Sequence, residues 1–357
     1  MGWPENAIRL YQSQCDRYPK LQVEDLLKAL HQSIYGGCYL TRSPIDAAER
    51  TQTEAVQSQL SDDSYFEQLS DQFYRVHLDY LHASGLCADT LATLAALSSQ
   101  QATGCEKERN AMLETVLIMA NSGSLKFSYK AVLEAVRKWE EAGFSAPYHS
   151  ETFRNTYAPS YRILRSDYVW ALPVFAQIDK MLAEKSHLLI AIEGGAAAGK
   201  STFGALLRRV YDCNLFHMND FFLRPKQRSA ARYRRPGGNV DYERFREEVL
   251  QPLLTGTAVQ YRRFDCRTFQ LDSPIEIGPK AINVVEGSYS CHPYFENAYD
   301  LRIFLKISPE LQARRIRKYS SPALQARFFE QWILMENAYF EAMKIEQSCD
   351  LVLNVQE

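Results

Sequence analysis

The sequence predicts an α/β protein in which an all-α N-terminal domain precedes a doubly wound parallel sheet with helices on both faces. Apolar residues recur at helical spacing through about residue 150, and short apolar segments alternate with helical ones after about residue 165. A glycine-rich loop also joins one apolar segment to a helix. We place a helical domain at 1–160 and the sheet domain at 161–357.

The N-terminal helices are predicted from apolar stripes three or four residues apart, which are typical of a helical core. One stripe is formed by Leu26, Leu27, Leu30 and Ile34. A second helix is predicted between Tyr65 and Tyr80, and further helices around 91–97, 112–117 and 132–139. The sequence indicates no role for this domain.

The C-terminal sheet is predicted from five apolar segments, 188–193, 213–218, 281–286, 301–307 and 350–355. Helical segments between them imply parallel pairing, and ligands of such sheets bind at the carboxyl ends of the strands. A further pair of short strands, 258–264 and 275–277, is expected as an insertion that could close over an acceptor.

The loop after the first of these strands fits the pattern G-x-x-x-x-G-K-[ST], which binds nucleoside triphosphates. Backbone N–H groups and the helix N-terminus attract phosphate oxygens, Lys200 can reach the terminal phosphates, and Ser201 can ligate Mg²⁺. The segment predicted to bind the nucleotide comprises Gly194, Gly195, Ala196, Ala197, Ala198, Gly199, Lys200, Ser201 and Thr202.

Acidic residues follow the other strands of the predicted sheet. Asp220 could orient a hydroxyl and accept its proton, or cap a turn. Glu286 could position Mg²⁺, or lie in solvent at the strand end. Asp241 either caps the following helix or binds a substrate hydroxyl. Tyr261 and Arg267, in the insertion, are further candidates for substrate binding.

A basic cluster follows the fourth strand. Arg314, Arg315 and Lys318 could form a lid that supplies positive charge to a transferring phosphoryl group, or a solvated helix face.

The composition excludes some classes of partner. The net charge of −2 gives no sign of a nucleic-acid or membrane surface. The eight cysteines form no C-x-x-C pair, which favours free thiols in a reducing cytoplasm. We find no signal peptide, expect a cytoplasmic location, and leave homo-oligomer formation open.

Together these residues resemble the uridine kinase, phosphoribulokinase and nicotinamide riboside kinase group of P-loop kinases, over about residues 185–357. The family's strand-end D-x-F-[FY] corresponds to 219–222, its N-[FV]-D to 239–241, its E-G to 286–287 and its R-R-x-x-[RK] to 314–318. The resemblance implies that ATP and Mg²⁺ are used and that a small-molecule hydroxyl accepts the phosphoryl group. It also implies that position 219 holds the catalytic Asp, where this chain has Asn219.

Several functional hypotheses remain. The leading one is an ATP-dependent kinase acting on a nucleoside- or vitamin-like metabolite. The alternative is a nucleotide-binding degenerate kinase that acts as a sensor or scaffold, because the Asn219 amide cannot accept a proton. A GTPase or motor is disfavoured by the lack of N-K-x-D and of D-x-x-G after the third strand. The last hypothesis is a helical structural protein in which the match to the phosphate-loop pattern is accidental.

Overall fold

The computed structural model describes residues 2–37, 44–57 and 65–356. The chain divides into two compact units, Met1–Lys180 and Met181–Glu357. The strand that begins at Tyr161 pairs within the first unit. The domain boundary at residue 160 stays a prediction.

The first unit is mainly helical, as predicted, and Leu26, Leu27, Leu30 and Ile34 are buried in its apolar core. Its elements are α1 (Trp3–Arg17), α2 (Val23–Tyr35), α3 (Pro44–Gln57), β1 (Phe66–Gln68), β2 (Phe73–His77), α4 (Asp79–Ser84), α5 (Ala88–Gln100), α6 (Glu106–Asn121), α7 (Tyr129–Glu141), α8 (Glu151–Tyr157), β3 (Tyr161–Arg165) and α9 (Ser166–Glu184), the last of which crosses the boundary.

The helix predicted between Tyr65 and Tyr80 is wrong, because this segment contains two strands. β1 pairs antiparallel with β2, and β2 pairs antiparallel with β3. The N–H of Leu69 donates to the carbonyl oxygen of Phe73, which closes the turn between β1 and β2. β2 has five residues and is rich in aromatic and β-branched side chains, which favour a strand. Apolar residues three or four positions apart can occur in such a segment by coincidence.

The second unit contains the predicted parallel sheet, with strand order β12-β11-β4-β10-β5. Its elements are β4 (Leu188–Gly194), α10 (Lys200–Val210), β5 (Cys213–His217), α11 (Ala230–Tyr233), α12 (Tyr242–Phe245), α13 (Gln251–Thr255), β6 (Val259–Tyr261), β7 (Phe264–Asp265), β8 (Gln270–Leu271), β9 (Ile275–Ile277), β10 (Ile282–Glu286), β11 (Leu301–Lys306), α14 (Pro309–Tyr319), α15 (Pro322–Arg327), α16 (Ile333–Ala342), α17 (Ile345–Ser348) and β12 (Leu351–Asn354).

The register of the sheet brings distant parts of the chain to one edge. β4 is buried along its whole length, as expected for a central parallel strand. β10 lies between β4 and β5, so that Glu286 is level with Ile192 on one side and with His217 on the other. The predicted insertion is also present, since β6 and β9 pair antiparallel. The carboxyl ends of β4, β5 and β10 are therefore neighbours.

No helix in the described residues is both long enough and apolar enough to cross a bilayer. The seven cysteines in these residues are free thiols, and Cys38 lies outside them.

Candidate functional site

The glycine loop connects β4 to α10 in a conformation that only small residues allow. Gly194 has φ +144°, and a Cβ there would lie 2.5 Å from the carbonyl oxygen of Leu305. Gly199, at the N-cap of α10, has φ +97°. The first N–H groups of a helix have no partner within it, so the loop and the helix start form a site for an anion.

The Lys200 side chain folds back over the loop. Its Nζ donates hydrogen bonds to the carbonyl oxygens of Gly194, at 2.7 Å, and Gly195, at 2.8 Å. Side chains of α14 hold the next residues, because Gln312 donates to the carbonyl oxygen of Ala196 over 2.9 Å. The ammonium group therefore lies beside the N–H groups that would bind phosphate.

A hydroxyl and a carboxylate meet at the ends of α10 and β10. Ser201 Oγ donates to Glu286 Oε1 over 2.9 Å, and the Glu286 side chain is 2% exposed. His217 Nδ1 contacts the same oxygen, and this hydrogen bond raises the pKa of His217 above its ordinary value. Mg²⁺ in nucleotide sites takes one or two protein oxygens beside phosphate oxygens and water, so Ser201 and Glu286 fit that ion.

A buried carboxyl group lies directly before the loop. Burial raises the pKa of Glu193 from 4.5 to about 7, although several hydrogen bonds oppose the shift. Its oxygens accept from the N–H groups of Gly194, Tyr289 and Cys291 and from the hydroxyl of Tyr339. Glu193 thus ties the loop to the segment after β10 and to α16.

A second carboxylate holds the loop from outside. Glu336, on α16, accepts the N–H of Ala196 over 2.8 Å and the hydroxyl of Ser288 over 2.6 Å. The same hydroxyl lies 3.3 Å from the carbonyl oxygen of Gly194. Glu336 and Ser288 are far from the loop in sequence, and their hydrogen bonds hold its backbone at Ala196 and Gly194.

Asn219 and Asp220 follow β5 and have different surroundings. Asn219 is exposed, whereas the Asp220 side chain is 16% exposed. The hydroxyl of Tyr261 donates to Asp220 Oδ2 over 3.1 Å, and Arg263 Nε lies 3.4 Å from that oxygen. Burial raises the pKa of Asp220, while Tyr261 and Arg263 partly lower it. A carboxylate with a raised pKa is a better proton acceptor than an ordinary one.

The sequence left two roles open for Asp241, and the structure shows one of them. Its Oδ1 accepts the N–H of Arg244 and caps α12, which confirms the capping interpretation. Its Oδ2 is buried without a hydrogen bond in the described residues, 3.3 Å from Arg224 Nε, and Asn239 Oδ1 is also unpaired there. Asp241 Oδ2 also lies 3.6 Å from Arg244 Nε, so within the described chain this oxygen has two ion pairs but no hydrogen bond, and a ligand hydroxyl could supply one to it and to Asn239 Oδ1.

The remaining predicted residues lie around this edge or away from it. Arg315, on α14, donates to the carbonyl oxygen of Ala197 over 3.2 Å, while Arg314 and Lys318 are exposed on the same helix. Thr202 is exposed in the first turn of α10. Arg267 is 92% exposed and pairs with Asp265 in the turn between β7 and β8. The ion pair of Arg267 is thus with Asp265, whereas Asp220 pairs with Arg263.

Sequence reasoning missed several residues of the site. Glu193 precedes the loop directly and His217 precedes Asn219 by two positions, so proximity to motifs was an available signal for both.

Arg263, rather than Arg267, contacts Asp220. Glu336 lies on α16, for which the sequence predicted no functional residue. Glu336 reaches the loop through a tertiary contact, which no local sequence pattern predicts.

No protein-family model matches this chain, and no curated protein matches it either. Three of the similar solved structures are described as kinases or possible kinases. One is a possible uridine kinase from Bacillus stearothermophilus, with 16% identity over 52% of this chain and 96% of that chain and a TM-score of 0.39. A second is a candidate fructose transport system kinase from a Silicibacter species, with 19% identity over 47% and 89% and a TM-score of 0.38. A third is shikimate kinase from Bacteroides thetaiotaomicron, with 18% identity over 47% and 86% and a TM-score of 0.28.

Proposed function

We propose that the chain is an ATP-dependent phosphotransferase that moves the γ-phosphate to a hydroxyl of a nucleoside- or vitamin-like metabolite. The observation that carries the proposal is the convergence of the phosphate loop, the Ser201–Glu286 pair and Asp220 at the ends of β4, β10 and β5. Phosphoryl transfer depends mainly on positioning and on stabilisation of charge, and this edge offers both.

The donor half consists of the loop and its neighbours. The loop N–H groups and Lys200 would bind the phosphates, and Ser201 and Glu286 would hold Mg²⁺, which would supply positive charge to the phosphate oxygens. Glu193 and Glu336 keep the loop backbone in position through the hydrogen bonds described above. Arg315, with Arg314 and Lys318 on the same helix, adds positive charge beside the loop.

The acceptor half consists of Asp220, Asp241 and Tyr261. Asp241 Oδ2 and Asn239 Oδ1 accept hydrogen bonds from hydroxyl groups of the acceptor. Asp220 takes the proton of the acceptor's hydroxyl group as the oxygen of that hydroxyl bonds to the γ-phosphorus. The bond between the γ-phosphorus and the β–γ bridging oxygen breaks, and ADP leaves. Tyr261 orients Asp220 through its 3.1 Å hydrogen bond.

A coupled assay of ADP release over a panel of nucleosides, vitamins and sugars tests this proposal. We expect release above the water-only rate with at least one hydroxylated acceptor. Lys200→Ala should abolish it, whereas Lys226→Ala, at an exposed lysine, should not. Nucleotide binding without ADP release for any acceptor would contradict transferase activity.

One observation favours nucleotide binding without transfer. Asn219, at the position of the family's catalytic Asp, carries an amide that cannot accept a proton, and the Asp220 carboxylate is already engaged by Tyr261 and Arg263. In this second candidate function the chain is a sensor or scaffold whose nucleotide site works without an acceptor base.

The substitution Asn219→Asp separates the two functions. For a degenerate kinase it should raise transfer by about 10²-fold or more, the usual contribution of a general base. For a kinase that uses Asp220, Asn219→Asp should leave the rate nearly unchanged and Asp220→Asn should abolish transfer. Asn155→Asp, on an exposed face of α8, is the matched control.

A further inference from the structure

A cavity of about 450 Å³ lies within the first unit, and all its lining residues belong to that unit. Its walls come from α2, α3, α5, β3 and the loop before α8. Ligand pockets for small organic molecules typically begin at about 300 Å³. The cavity is therefore large enough for a small organic molecule and much larger than an inorganic ion requires.

Cationic side chains dominate the charge of the lining. Lys28, Arg50 and Arg162 line the cavity, and Glu54 is the carboxylate among the lining residues that the structure describes. Glu54 Oε2 accepts from Arg162 Nη1 at 2.7 Å, and Glu54 Oε1 lies 3.2 Å from Arg50 Nε. Lys28 Nζ donates to the carbonyl oxygen of Pro147 over 2.7 Å. The described lining residues therefore carry three cations and one carboxylate, an excess of two positive charges.

The two histidines of the lining do not add to this charge. Burial lowers the pKa of His31 and of His149 to about 4, so that both rings are neutral at pH 7. The other walls are largely apolar: Ala92, Pro159 and Ile163 line the cavity, together with Tyr148, which is 79% exposed. The described lining residues therefore combine cationic side chains, of which that of Arg50 is 68% exposed, with apolar and aromatic surface.

A buried hydrogen-bond network keeps one wall rigid. His149 Nδ1 lies 3.0 Å from Asp25 Oδ1, and His149 Nε2 lies 2.6 Å from the hydroxyl of Tyr161. Because the Asp25 carboxylate accepts the Nδ1 proton, Nε2 accepts the proton of Tyr161. Gln32 in turn donates to the Tyr161 hydroxyl over 3.1 Å.

The network continues beyond the cavity wall. Arg75, with no exposed surface, donates from Nε and Nη2 to Gln32 Oε1 over 3.0 and 2.6 Å and from Nη1 to Glu67 over 2.9 Å. Each side chain in this network has a hydrogen-bond partner, so the side chains that form the wall cannot rotate freely. Because this wall is already ordered, the protein loses less conformational entropy when a ligand binds.

We propose that this cavity binds a small organic dianion, a phosphate monoester or a dicarboxylate. Its charged group lies against Lys28, Arg50 and Arg162, and its apolar part lies against Tyr148 and the apolar wall. Arginine favours such anions because its planar guanidinium donates two parallel hydrogen bonds to them. This site is additional to the phosphate loop and does not depend on transferase activity.

Calorimetric titration of the full chain tests the proposal with phenyl phosphate, phthalate and uncharged benzamide. We expect phenyl phosphate, phthalate or both to bind, with affinity that falls as the salt concentration rises. Arg50→Gln should weaken binding by about tenfold, the effect of one charge-assisted hydrogen bond. Arg137→Gln, at an exposed arginine of α7, should leave binding unchanged.

Two further variants separate this site from the phosphate loop and from a folding effect. Lys200→Ala should retain the binding, because the probes occupy the first unit. Ala146→Phe should reduce it by filling the cavity from a loop position without removing a charge.

The possible outcomes decide between the ligand classes. Binding of phenyl phosphate alone assigns a phosphate monoester, and binding of phthalate alone assigns a dicarboxylate. Failure of both probes, equal binding of benzamide, or binding that survives Arg50→Gln but not Lys200→Ala would overturn the proposal.

Discussion

Ser201 and Glu286 are 85 positions apart in sequence and share a hydrogen bond of 2.9 Å. The bond joins the first turn of α10 to the end of β10, directly beside the phosphate loop. A hydroxyl and a carboxylate in contact at this point are oxygen ligands of the kind that Mg²⁺ prefers. The proposed metal site thus depends on how β10 is placed in the sheet.

Removing the Glu286 carboxylate should weaken the effect of Mg²⁺ on nucleotide binding. We expect Glu286→Gln to weaken ATP binding in the presence of Mg²⁺ by about 10–100-fold, the usual cost of disturbing a metal ligand or its partner. Binding without Mg²⁺ should change little. Calorimetry with and without the ion measures both, and Glu276→Gln on the exposed face of β9 is the control. Equal losses in both conditions would show that Glu286 does not act through the metal.

The pH dependence of transfer should report Asp220. Burial raises its pKa, and the hydrogen bond from Tyr261 partly lowers it. Tyr261→Phe removes that bond, so the pKa of Asp220 should rise further and the acid limb of the kcat/KM profile should move to higher pH. The rate at a fixed acidic pH should then fall. An acid limb that stays in place in Tyr261→Phe would mean that another group is the base.

Stability should depend on pH through Glu193. Its pKa is about 7 in the folded chain and 4.5 ordinarily, so between these values the folded chain keeps a proton that the unfolded chain releases. The stabilising contribution is complete below pH 4.5 and is lost as the pH rises through 7. The total change in the free energy of unfolding is about 3 kcal/mol.

Glu193→Gln should remove this part of the pH dependence. Denaturant unfolding of the full chain at several pH values between 4 and 8 would measure the slope, with Glu341→Gln at an exposed position of α16 as the control. An unchanged slope in Glu193→Gln would assign the dependence to other groups.

The buried pair of Arg75 and Glu67 should be costly to break from one side. The Arg75 side chain has no exposed surface, and that of Glu67 is 5% exposed. Arg75→Met leaves the carboxylate buried without its cation, and we expect a loss of about 3–5 kcal/mol in the free energy of unfolding. The double variant with Glu67→Gln should lose less than the sum of the two single changes.

A matched control for this pair lies in the same unit. Arg9 and Asp71 pair at 2.9 Å, with side chains 38% and 56% exposed. Arg9→Met should cost less than about 1 kcal/mol, because solvent screens the interaction. A cost for Arg75→Met as small as that for Arg9→Met would contradict the role of burial.

Local patterns in the sequence were sufficient to predict most of the second unit. The strand before Gly194, the helix after Gly199 and the cap at Asp241 each depend on neighbours within a few residues, and all three are present. The helical prediction for Tyr65 to Tyr80 is wrong, because apolar spacing over so short a segment does not distinguish a helix from two strands.

Contacts between distant segments could not be predicted from those patterns. Glu336 reaches the N–H of Ala196 across 140 positions, and Arg263 reaches Asp220 through an insertion of irregular structure. The assignment of Arg267 to the substrate site followed its position in that insertion, and its role stays a prediction. The proposed roles of Asp220, Asp241 and the basic residues of α14 likewise remain to be tested.

The placement of β10 between β4 and β5 has a consequence for the synthesis of the chain. β4 and β5 are consecutive along the sequence, yet neither can take its final neighbour until Ile282–Glu286 has left the ribosome. A nascent chain that ends before Ile282 already contains the whole glycine loop but has no strand to bring Ser201 its carboxylate partner. The hydrogen-bonded pair of Ser201 and Glu286 therefore forms only after about four fifths of the polypeptide has been made.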